Sequence, residues 1–328
     1  MNRYARQMIL PEVGAAGQAR LARAHVLVVG AGGLGVPVLQ YLAGAGVGRI
    51  TLVDGDTVEE GNLHRQPLYA GAVGQAKALA AAQLLRRLNP EVRVDGRVAW
   101  LDPANAVDWI AAADVVLDCA DTYAVSYTLS DVCRAAGKPL ILASALGLTG
   151  YVGGFCAGAP SLRAVFPAPG RGGNCASAGV LGPVVGTLGM LQAQMALGVL
   201  LGWSPTPLGL LLRVDLARWH VADFRFDEAP EPTGQQPYFI ARQAIREDDF
   251  VVELRGHEEA PVAVMPAAHR LSAAQVGTAG SPLPRAGQRA VLACATGLRA
   301  WRAAEALARA WQGEIALVAV PREASQAS

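Results

Sequence analysis

The chain has 328 residues, of which 52% are hydrophobic and 17% are charged, and its formal net charge at pH 7 is +1. This length predicts two domains, or one large domain with a smaller one, and supplies enough apolar material for a sizeable core. The near-neutral balance argues against nucleic acid as the main partner and favours a small molecule or a protein.

The predicted compartment is the cytoplasm. The first residues, MNRYARQMILPEVG, lack the basic and then apolar layout of a signal peptide. The five cysteines form neither a CxxC pair nor a disulfide framework, so we expect reduced thiols. The apolar segment 178–201 is long enough to cross a membrane, but glycines, Pro183 and two glutamines interrupt it. We therefore predict a buried core helix there and no membrane association.

Strands and helices alternate along the first half of the chain, after an arginine-rich arm and helix in residues 1–24. Short β-branched runs between helices are typical of buried parallel strands. The alternation predicts an α/β fold with a doubly wound, mostly parallel sheet, whose site lies at the carboxyl ends of the strands. The predicted strands are 26–29, 49–53, 92–100, 115–117 and 140–145, and the predicted helices are 36–45, 75–88, 104–112 and 127–136.

The second half is predicted to hold strands within 151–166, a Gly/Pro-rich loop over 167–173, and the buried helix. A segment rich in Pro, Glu and Gln then predicts a linker. We expect domains at 1–226 and 246–320, joined by the linker 227–245 and followed by a tail at 321–328. The smaller domain has predicted strands at 250–254, 290–293 and 315–320 and a helix at 300–312.

A glycine-rich turn follows the first predicted strand. Such a turn lets the backbone approach phosphates closely and directs a helix N-terminus at their negative charge. Asp54 ends the second strand, 19 residues after Gly35, where a carboxylate can accept hydrogen bonds from ribose hydroxyls. Cationic and amide side chains follow, and cations around a triphosphate with a carboxylate for Mg²⁺ suit attack on phosphorus. The candidate residues are Gly30, Gly32, Gly33, Gly35, Asp54, Asn62, Arg65, Gln66, Lys77 and Asp121.

These motifs resemble those of the ubiquitin-activating-type adenylyltransferases, in particular the bacterial MoeB, ThiF and HesA branch. The resemblance covers roughly residues 3–203 in the family's order and implies a Rossmann-like ATP-binding fold. The matching stretches are RYARQ, PEVGAAGQ, GAGGLG, YLAGAGVGRITLVDGDTV, NLHRQ, VGQAK, LNP, VVLDCADT and CASAGVLGPVVGTLG with Gln192 and Ala193.

The resemblance implies an ATP- and Mg²⁺-dependent reaction. The second substrate would be a small ubiquitin-like sulfur carrier, whose C-terminal Gly-Gly carboxylate attacks the α-phosphate to give an acyl-adenylate and pyrophosphate. A homodimer is implied as well, because one residue would reach the triphosphate of the neighbouring subunit. The implied roles are Asp54 for the ribose, Asn62, Arg65 and Lys77 for the phosphates, Asp121 for Mg²⁺, Asp56 and Gln66 within the ATP site, and Arg6 for the neighbouring subunit.

Cys175 lies in a glycine-rich loop before the apolar helix, where a helix N-terminus would stabilise its thiolate. It matches the family's crossover-loop cysteine, which accepts the acyl group or a persulfide. The alternative, an unreactive small residue at a loop end, stays open. We predict that the other cysteines before residue 200 belong to the core; they are Cys119, Cys133 and Cys156.

The chain departs from the family at several positions. Relatives usually carry two CxxC pairs that hold a structural zinc, which needs four ligands to close. Ser161 and Ala164 stand at the first pair, and 229–232 contains no cysteine for the second, so we predict no zinc. Thr122 stands where Asn is common and Ser126 where Arg is common.

The loop from Cys294 to Arg299, CATGLR, is similar to the active loop C-x-x-G-x-R of rhodaneses, and Glu253-Leu-Arg255 resembles their early Asp-x-Arg. Successive backbone N–H groups in such a loop can hold a thiolate or persulfide. The resemblance implies a small α/β rhodanese-like domain that takes sulfur from a persulfide donor such as a cysteine desulfurase. A degenerate, inactive domain is the alternative, because the usual closing Gly-Gly and aromatic stretch is absent.

The predicted function is adenylation of a sulfur-carrier protein for molybdopterin, thiamine or related biosynthesis. Two alternatives belong to other classes. An NAD-dependent oxidoreductase shares the glycine turn but leaves NLHRQ, Lys77 and RYARQ unexplained. A non-catalytic scaffold for a ubiquitin-like protein is favoured by Thr122, Ser126 and the absent zinc cysteines, and would bind its partner without forming pyrophosphate.

Overall fold

The computed structural model describes residues 2–170 and 179–321. Its larger sheet has eight strands: β1 (His25–Val29), β2 (Arg49–Val53), β3 (Arg93–Arg97), β4 (Val115–Asp118), β5 (Leu140–Leu146), β6 (Thr149–Phe155), β7 (Leu210–Asp215) and β8 (His220–Arg225). Their order is β3-β2-β1-β4-β5-β6-β7-β8. The pairs from β3 to β5 are parallel and those from β5 to β8 are antiparallel. The predicted mostly parallel α/β sheet is confirmed.

Helices connect these strands and cover the sheet. Glycine ends three of them, because Gly46, Gly137 and Gly202 adopt the left-handed conformation that closes a helix at little cost. Asp102 begins another by accepting hydrogen bonds from the first-turn N–H groups. The helices are α1 (Gly14–Arg23), α2 (Gly35–Ala45), α3 (Lys77–Leu88), α4 (Pro103–Ala111), α5 (Tyr123–Ala136), α6 (Leu162–Val165) and α7 (Gly182–Leu201).

A smaller parallel sheet follows, with α8 (Leu298–Ala310) against it. Its strands are β9 (Tyr238–Phe239), β10 (Phe250–Glu253), β11 (His269–Arg270), β12 (Ala290–Cys294) and β13 (Ile315–Ala319), in the order β11-β10-β12-β13-β9. The structure differs here from the predicted linker 227–245, because β9 lies within it and pairs with β13.

The predicted strands within 151–166 are only partly right. β6 ends at Phe155, and α6 occupies 162–165, where strands were expected. The antiparallel strands β7 and β8 have no counterpart among the predicted elements. Every residue of β8 is exposed, so this edge strand lacks the buried apolar face on which strand prediction depends.

The long helix α7 is the predicted core helix. By length and composition alone it could cross a membrane, and it is the one such helix in the parts of the chain that the structure describes. Of its most apolar 18-residue window, 56% is buried inside the protein, where α7 contacts α2, β5 and β6.

A polar clamp from α7 joins β4 to β5. Gln192 is fully buried, and its Nε2 donates to the carbonyl oxygens of Asp118 at 2.7 Å and Ile141 at 2.9 Å. Its Oε1 accepts from the Cys119 thiol at 3.4 Å. Buried backbone carbonyls need hydrogen-bond donors, so the two bonds from Gln192 fix the position of α7 relative to β4 and β5.

We expect Gln192→Met to lower the free energy of unfolding by about 1–3 kcal/mol, because two buried carbonyls lose their donor while volume is conserved. Chemical denaturation measures this. The matched control is Gln194→Met on the exposed face of the same helix, which should stay within about 0.5 kcal/mol of wild type. Equal effects of the two substitutions would contradict the clamp.

β4 ends on a carboxyl group inside the protein. Asp118 is fully buried; its Oδ1 accepts from the Ala120 N–H at 3.0 Å, and its Oδ2 has no hydrogen-bond partner among the described residues. Burial raises the pKa of this carboxyl to about 7, and the charge of Asp121 adds to the increase. Asp118 is therefore partly protonated at neutral pH.

A raised carboxyl pKa makes stability depend on pH. Between the ordinary value of 3.8 and about 7, the unfolded chain holds fewer protons at Asp118 than the folded chain, so raising the pH destabilises the fold. Asp118→Asn removes this effect. Its free energy of unfolding relative to wild type should rise by about 1–3 kcal/mol from pH 5 to pH 8, measured by denaturation. The exposed Asp223→Asn controls for net charge, and a constant difference for Asp118→Asn would disprove the assignment.

Candidate active site

The glycine turn packs against the end of β4 so closely that two of its positions exclude a side chain. Gly30 has a φ of +96°, and a Cβ there would lie 2.6 Å from the carbonyl oxygen of Cys119. A Cβ on Gly35 would lie 2.1 Å from the carbonyl oxygen of Gly30. Both glycines are required by backbone packing, which places the N-terminus of α2 at the carboxyl edge of the sheet.

Gly32 lies beside Gln66 and, unlike Gly30 and Gly35, has space for a ligand or a side chain. A Cβ on Gly32 would meet only Gln66 Nε2, at 3.7 Å, whereas one on Gly33 would strike the Val185 side chain at 2.8 Å. Gln66 is 2% exposed, and its Oε1 lacks a hydrogen-bond partner among the residues described. An unsatisfied buried acceptor is costly, which makes Gln66 a candidate to contact a ligand beside Gly32.

Asp54, predicted to hold a ribose, also holds the glycine turn. Its Oδ2 accepts from the Ala31 N–H at 2.7 Å, and its Oδ1 accepts from the Asp56 N–H at 2.8 Å. The buried Tyr69 hydroxyl donates to the Ala31 carbonyl at 2.7 Å. Burial raises the pKa of the Asp54 carboxyl, and the Lys77 ammonium partly opposes the increase. Each carboxylate oxygen keeps a further lone pair for a hydroxyl group.

Lys77 and Asp56 form an ion pair beside Asp54. Lys77 begins α3, and its Nζ lies 2.9 Å from Asp56 Oδ2. The lysine side chain is 7% exposed and the aspartate 50%, so the ammonium is buried while its partner faces solvent. A buried ammonium requires an anionic partner. A phosphate group could share or replace Asp56 in that role.

The NLHRQ loop holds its polar side chains to one another. Arg65 Nη2 donates to Asn62 Oδ1 at 2.6 Å, and Asn62 Nδ2 donates to Glu59 at 3.1 Å. The loop also packs on the start of α7, where a Cβ on Gly182 would lie 2.6 Å from the His64 carbonyl oxygen. Arg65 and Asn62 are thus adjacent, and their partners among the described residues all lie within this loop.

Asp121 is exposed just beyond β4. No group of three or more His, Cys, Asp or Glu residues arranged for a metal ion occurs in the described part of the chain. Mg²⁺ is commonly held by one or two carboxylates together with substrate phosphates, so a single Asp121 fits an ion that arrives with ATP. The two residues that depart from the family pattern, Thr122 and Ser126, follow Asp121 closely in the chain. Ser126 Oγ donates to the Thr122 carbonyl at 3.4 Å, and the Thr122 side chain does not cap α5.

The structure does not bring Arg6 to this cluster. Arg6 is exposed on the N-terminal arm, and its neighbour Gln7 donates to the Ala45 carbonyl at 2.9 Å. That contact places the arm at the C-terminal end of α2, opposite the glycine turn. Cys175 lies outside the described residues, so its predicted role is untested. Cys119, Cys133 and Cys156 are buried, as predicted.

The two segments that would share zinc in relatives do meet here. The Ser161 N–H and hydroxyl donate to the Glu231 carboxylate at 2.8 Å and 2.6 Å. Arg134 of α5 forms an ion pair with the same carboxylate. A carboxylate, a hydroxyl and a guanidinium therefore connect the segments at the positions where cysteines are usual.

The CATGLR loop encloses its cysteine. Cys294 ends β12 with no exposed surface, and the N–H groups of Gly297 and Ala300 donate to its Sγ at 3.2 Å and 3.4 Å. The Arg299 guanidinium pairs with Glu259, with Nη1 at 2.8 Å from Oε2. The predicted cradle of N–H groups is present, while Arg299 is engaged by a carboxylate.

The predicted Glu253–Arg255 motif forms a buried pair in the same unit. Arg255 Nη2 lies 2.7 Å from Glu253 Oε2, which also accepts from the Val264 N–H at 2.9 Å. Although burial alone would raise it, the Arg255 guanidinium holds the pKa of the Glu253 carboxyl below its usual value. The buried ion pair therefore stabilises the end of β10.

Sequence reasoning missed Trp100, which follows β3 at the same edge of the sheet. The indole packs on the backbone beside Asp54, because a Cβ on Gly55 would lie 2.6 Å from the ring. The side chain is 44% exposed, and Asn105 Nδ2 donates to the Trp100 carbonyl at 2.9 Å. A half-exposed tryptophan just after a strand was the available signal.

The comparisons with known proteins agree with this geometry. The adenylyltransferase and sulfurtransferase MOCS3 of Sus scrofa is 49% identical over 221 residues, which are 66% of this chain and 49% of that protein. The adenylyltransferase and sulfurtransferase UBA4 of Yarrowia lipolytica is 46% identical over 205 residues, 61% of this chain and 52% of that protein. The chain thus spans about half the length of the curated relatives it matches.

Solved structures show the same fold. E. coli MccB in its crystal structure with ATP has a TM-score of 0.61 and 22% identity, covering 70% of this chain and 73% of that one. PaaA has a TM-score of 0.59 and 21% identity, covering 68% and 72%. The model of the ThiF family matches residues 4–235, which contain the larger sheet and every feature of the glycine-turn site. The chain belongs to the ThiF family.

Proposed function

We propose that this chain is an ATP-dependent adenylyltransferase that activates the C-terminal Gly-Gly carboxylate of a small ubiquitin-like sulfur-carrier protein. The proposal rests on the cluster at the carboxyl edge of the sheet, where Gln66 lies beside Gly32 and Asp54 accepts from the Ala31 N–H. The Lys77 ammonium lies next to this pair of contacts, bonded to Asp56. The relatives named as adenylyltransferases support the same chemistry.

ATP would enter with its ribose at Asp54 and its phosphates at Gly32. The N–H groups of the glycine turn at the start of α2 and the ammonium of Lys77 would meet the phosphate charge. Arg65 would add a guanidinium, which can contact two phosphate oxygens at once. Mg²⁺ held by Asp121 would neutralise charge on the phosphates.

The reaction joins a carboxylate to phosphorus. One carboxylate oxygen of the carrier attacks the α-phosphorus, the bond from that phosphorus to its bridging oxygen breaks, and pyrophosphate leaves with the electron pair. The products are the acyl-adenylate and pyrophosphate, so no oxidant or proton donor is consumed. The protein contributes position and electrostatic stabilisation, which dominate phosphoryl-type transfers.

The remaining parts of the proposal concern sulfur and assembly. Cys175 would accept the acyl group or a persulfide, and Cys294 would carry sulfur from a donor such as a cysteine desulfurase. Arg6 would reach the triphosphate of a second copy in a homodimer; its place at the far end of α2 supports action outside its own site. The setting would be the cytoplasm, and the end pathway would be molybdopterin, thiamine or related biosynthesis.

ATP–pyrophosphate exchange tests the function, using the full chain, Mg²⁺ and a panel of carriers ending in Gly-Gly. We expect exchange that depends on one carrier and falls at least about 100-fold in Asp121→Ala, because the phosphates lose their metal ligand. The matched control is Asp108→Ala, an exposed aspartate on α4, which should exchange normally. Carrier binding without exchange would establish the scaffold alternative, and NAD binding without ATP binding would establish the oxidoreductase.

Trp100 should provide a stacking surface for the adenine base. We expect Trp100→Ala to raise the Kd of ATP by about 5- to 50-fold and Trp100→Phe by less than about threefold, because the ring face is what stacks. Calorimetric titration measures both. Trp219→Ala, on the turn between β7 and β8, is the matched control and should not change the Kd. If tripolyphosphate binding falls as much as ATP binding in Trp100→Ala, the loss lies in the phosphate site.

A further inference from the structure

The two sheets share one hydrophobic cluster. It joins Tyr127 of α5 to Trp301 of α8, with ring centroids 4.8 Å apart, and Trp301 in turn lies near Phe239 of β9 at 6.3 Å. All three side chains are buried. The smaller unit is therefore packed on α5 rather than tethered beside it.

Arg163 of α6 strengthens this contact. Its guanidinium lies 5.1 Å from the Tyr127 ring centroid and 5.2 Å from that of Trp301, and it makes two hydrogen bonds to Asp131 of α5, at 2.6 Å and 2.7 Å. A cation held over two aromatic rings is attracted to both. Arg163 therefore links the two units, because it is hydrogen-bonded to Asp131 in the larger unit and lies over the Trp301 ring in the smaller unit.

The CATGLR loop faces the same surface. The Ala124 N–H, in the first turn of α5, donates to the Thr296 carbonyl at 3.2 Å. A Cβ on Gly297 would lie 3.1 Å from the Ala124 Cβ and 2.8 Å from the Phe239 ring, so the loop has no spare room on that side. Cys294 beneath it has no exposed surface.

We propose that Ala124, Tyr127, Asp131 and Arg163 form a docking face that closes the CATGLR loop, so that Cys294 reacts only after the smaller unit has left this face. Any sulfur donor must bring its own sulfur atom into line with Cys294 Sγ, which the docked arrangement prevents. The occupant of the face is this chain's own C-terminal unit, seated on it in the structure.

The docking face lies next to Asp121 of the candidate ATP site. Ala124 is three residues beyond Asp121, so the first turn of α5 borders the candidate ATP site on one side and covers the loop on the other. A ligand bound at Asp121 would therefore lie next to the helical turn that contacts the loop.

The test is the rate at which N-ethylmaleimide labels each cysteine of the folded full-length chain, followed by mass spectrometry of the peptides. In wild type, Cys294 should be labelled as slowly as the core residues Cys119 and Cys133. In Arg163→Ala and in Ala124→Leu, which crowds Gly297, its rate should rise at least about tenfold while the core cysteines stay slow. Arg218→Ala, which removes an exposed arginine from its ion pair with the buried Asp215 far from this face, is the matched control and should behave as wild type.

The labelling rates of the core cysteines distinguish release of the smaller unit from unfolding of the chain. Fast labelling of Cys294 in wild type would overturn the proposal, because the docked loop would then be accessible. So would an unchanged rate in both interface variants that keep their circular dichroism and melting temperature. If one variant labels all three cysteines quickly, it is unfolded, and the other variant decides.

Discussion

The close contact between the glycine turn and the end of β4 is the constraint on which the site depends. Gly30 lies against the Cys119 carbonyl with no space for a Cβ, and Gln192 holds the adjoining carbonyl of Asp118 from the opposite side. The N-terminus of α2, the carboxylate after β2 and the acids after β4 therefore share one edge of the sheet.

A small polar cluster connects two segments in the second half of the chain. Where relatives usually place zinc ligands, Ser161 and Glu231 are joined by hydrogen bonds, and Arg134 neutralises the carboxylate. Between the two altered positions of the first segment stands Arg163, which lies over Trp301 of the smaller unit. One short segment thus closes the end of the larger sheet and seats the smaller unit on it.

The buried carboxyl groups of Asp118 and Glu253 have opposite pKa shifts because their surroundings differ. Asp118 has lost contact with water and gained one N–H donor, so the neutral form is favoured and its pKa rises to about 7. Glu253 is equally buried but faces a guanidinium, so its charged form is favoured instead. The first arrangement leaves a carboxyl group that titrates near neutral pH beneath the candidate site, and the second gives a rigid support for β10.

The amino-acid sequence by itself determined the β-α-β unit, the glycine turn and the polar residues of the candidate site, because these depend on local periodicity and on motifs of fixed spacing. It did not reveal β7, which pairs with the distant β6, or β8, which is exposed throughout and pairs only with β7. Nor did it reveal β9, a two-residue strand that exists only through β13. Only the tertiary structure placed Trp100 beside Asp54 and the Cys294 loop against Ala124. Such contacts join residues whose separation in sequence carries no pattern, since packing alone decides which surfaces meet.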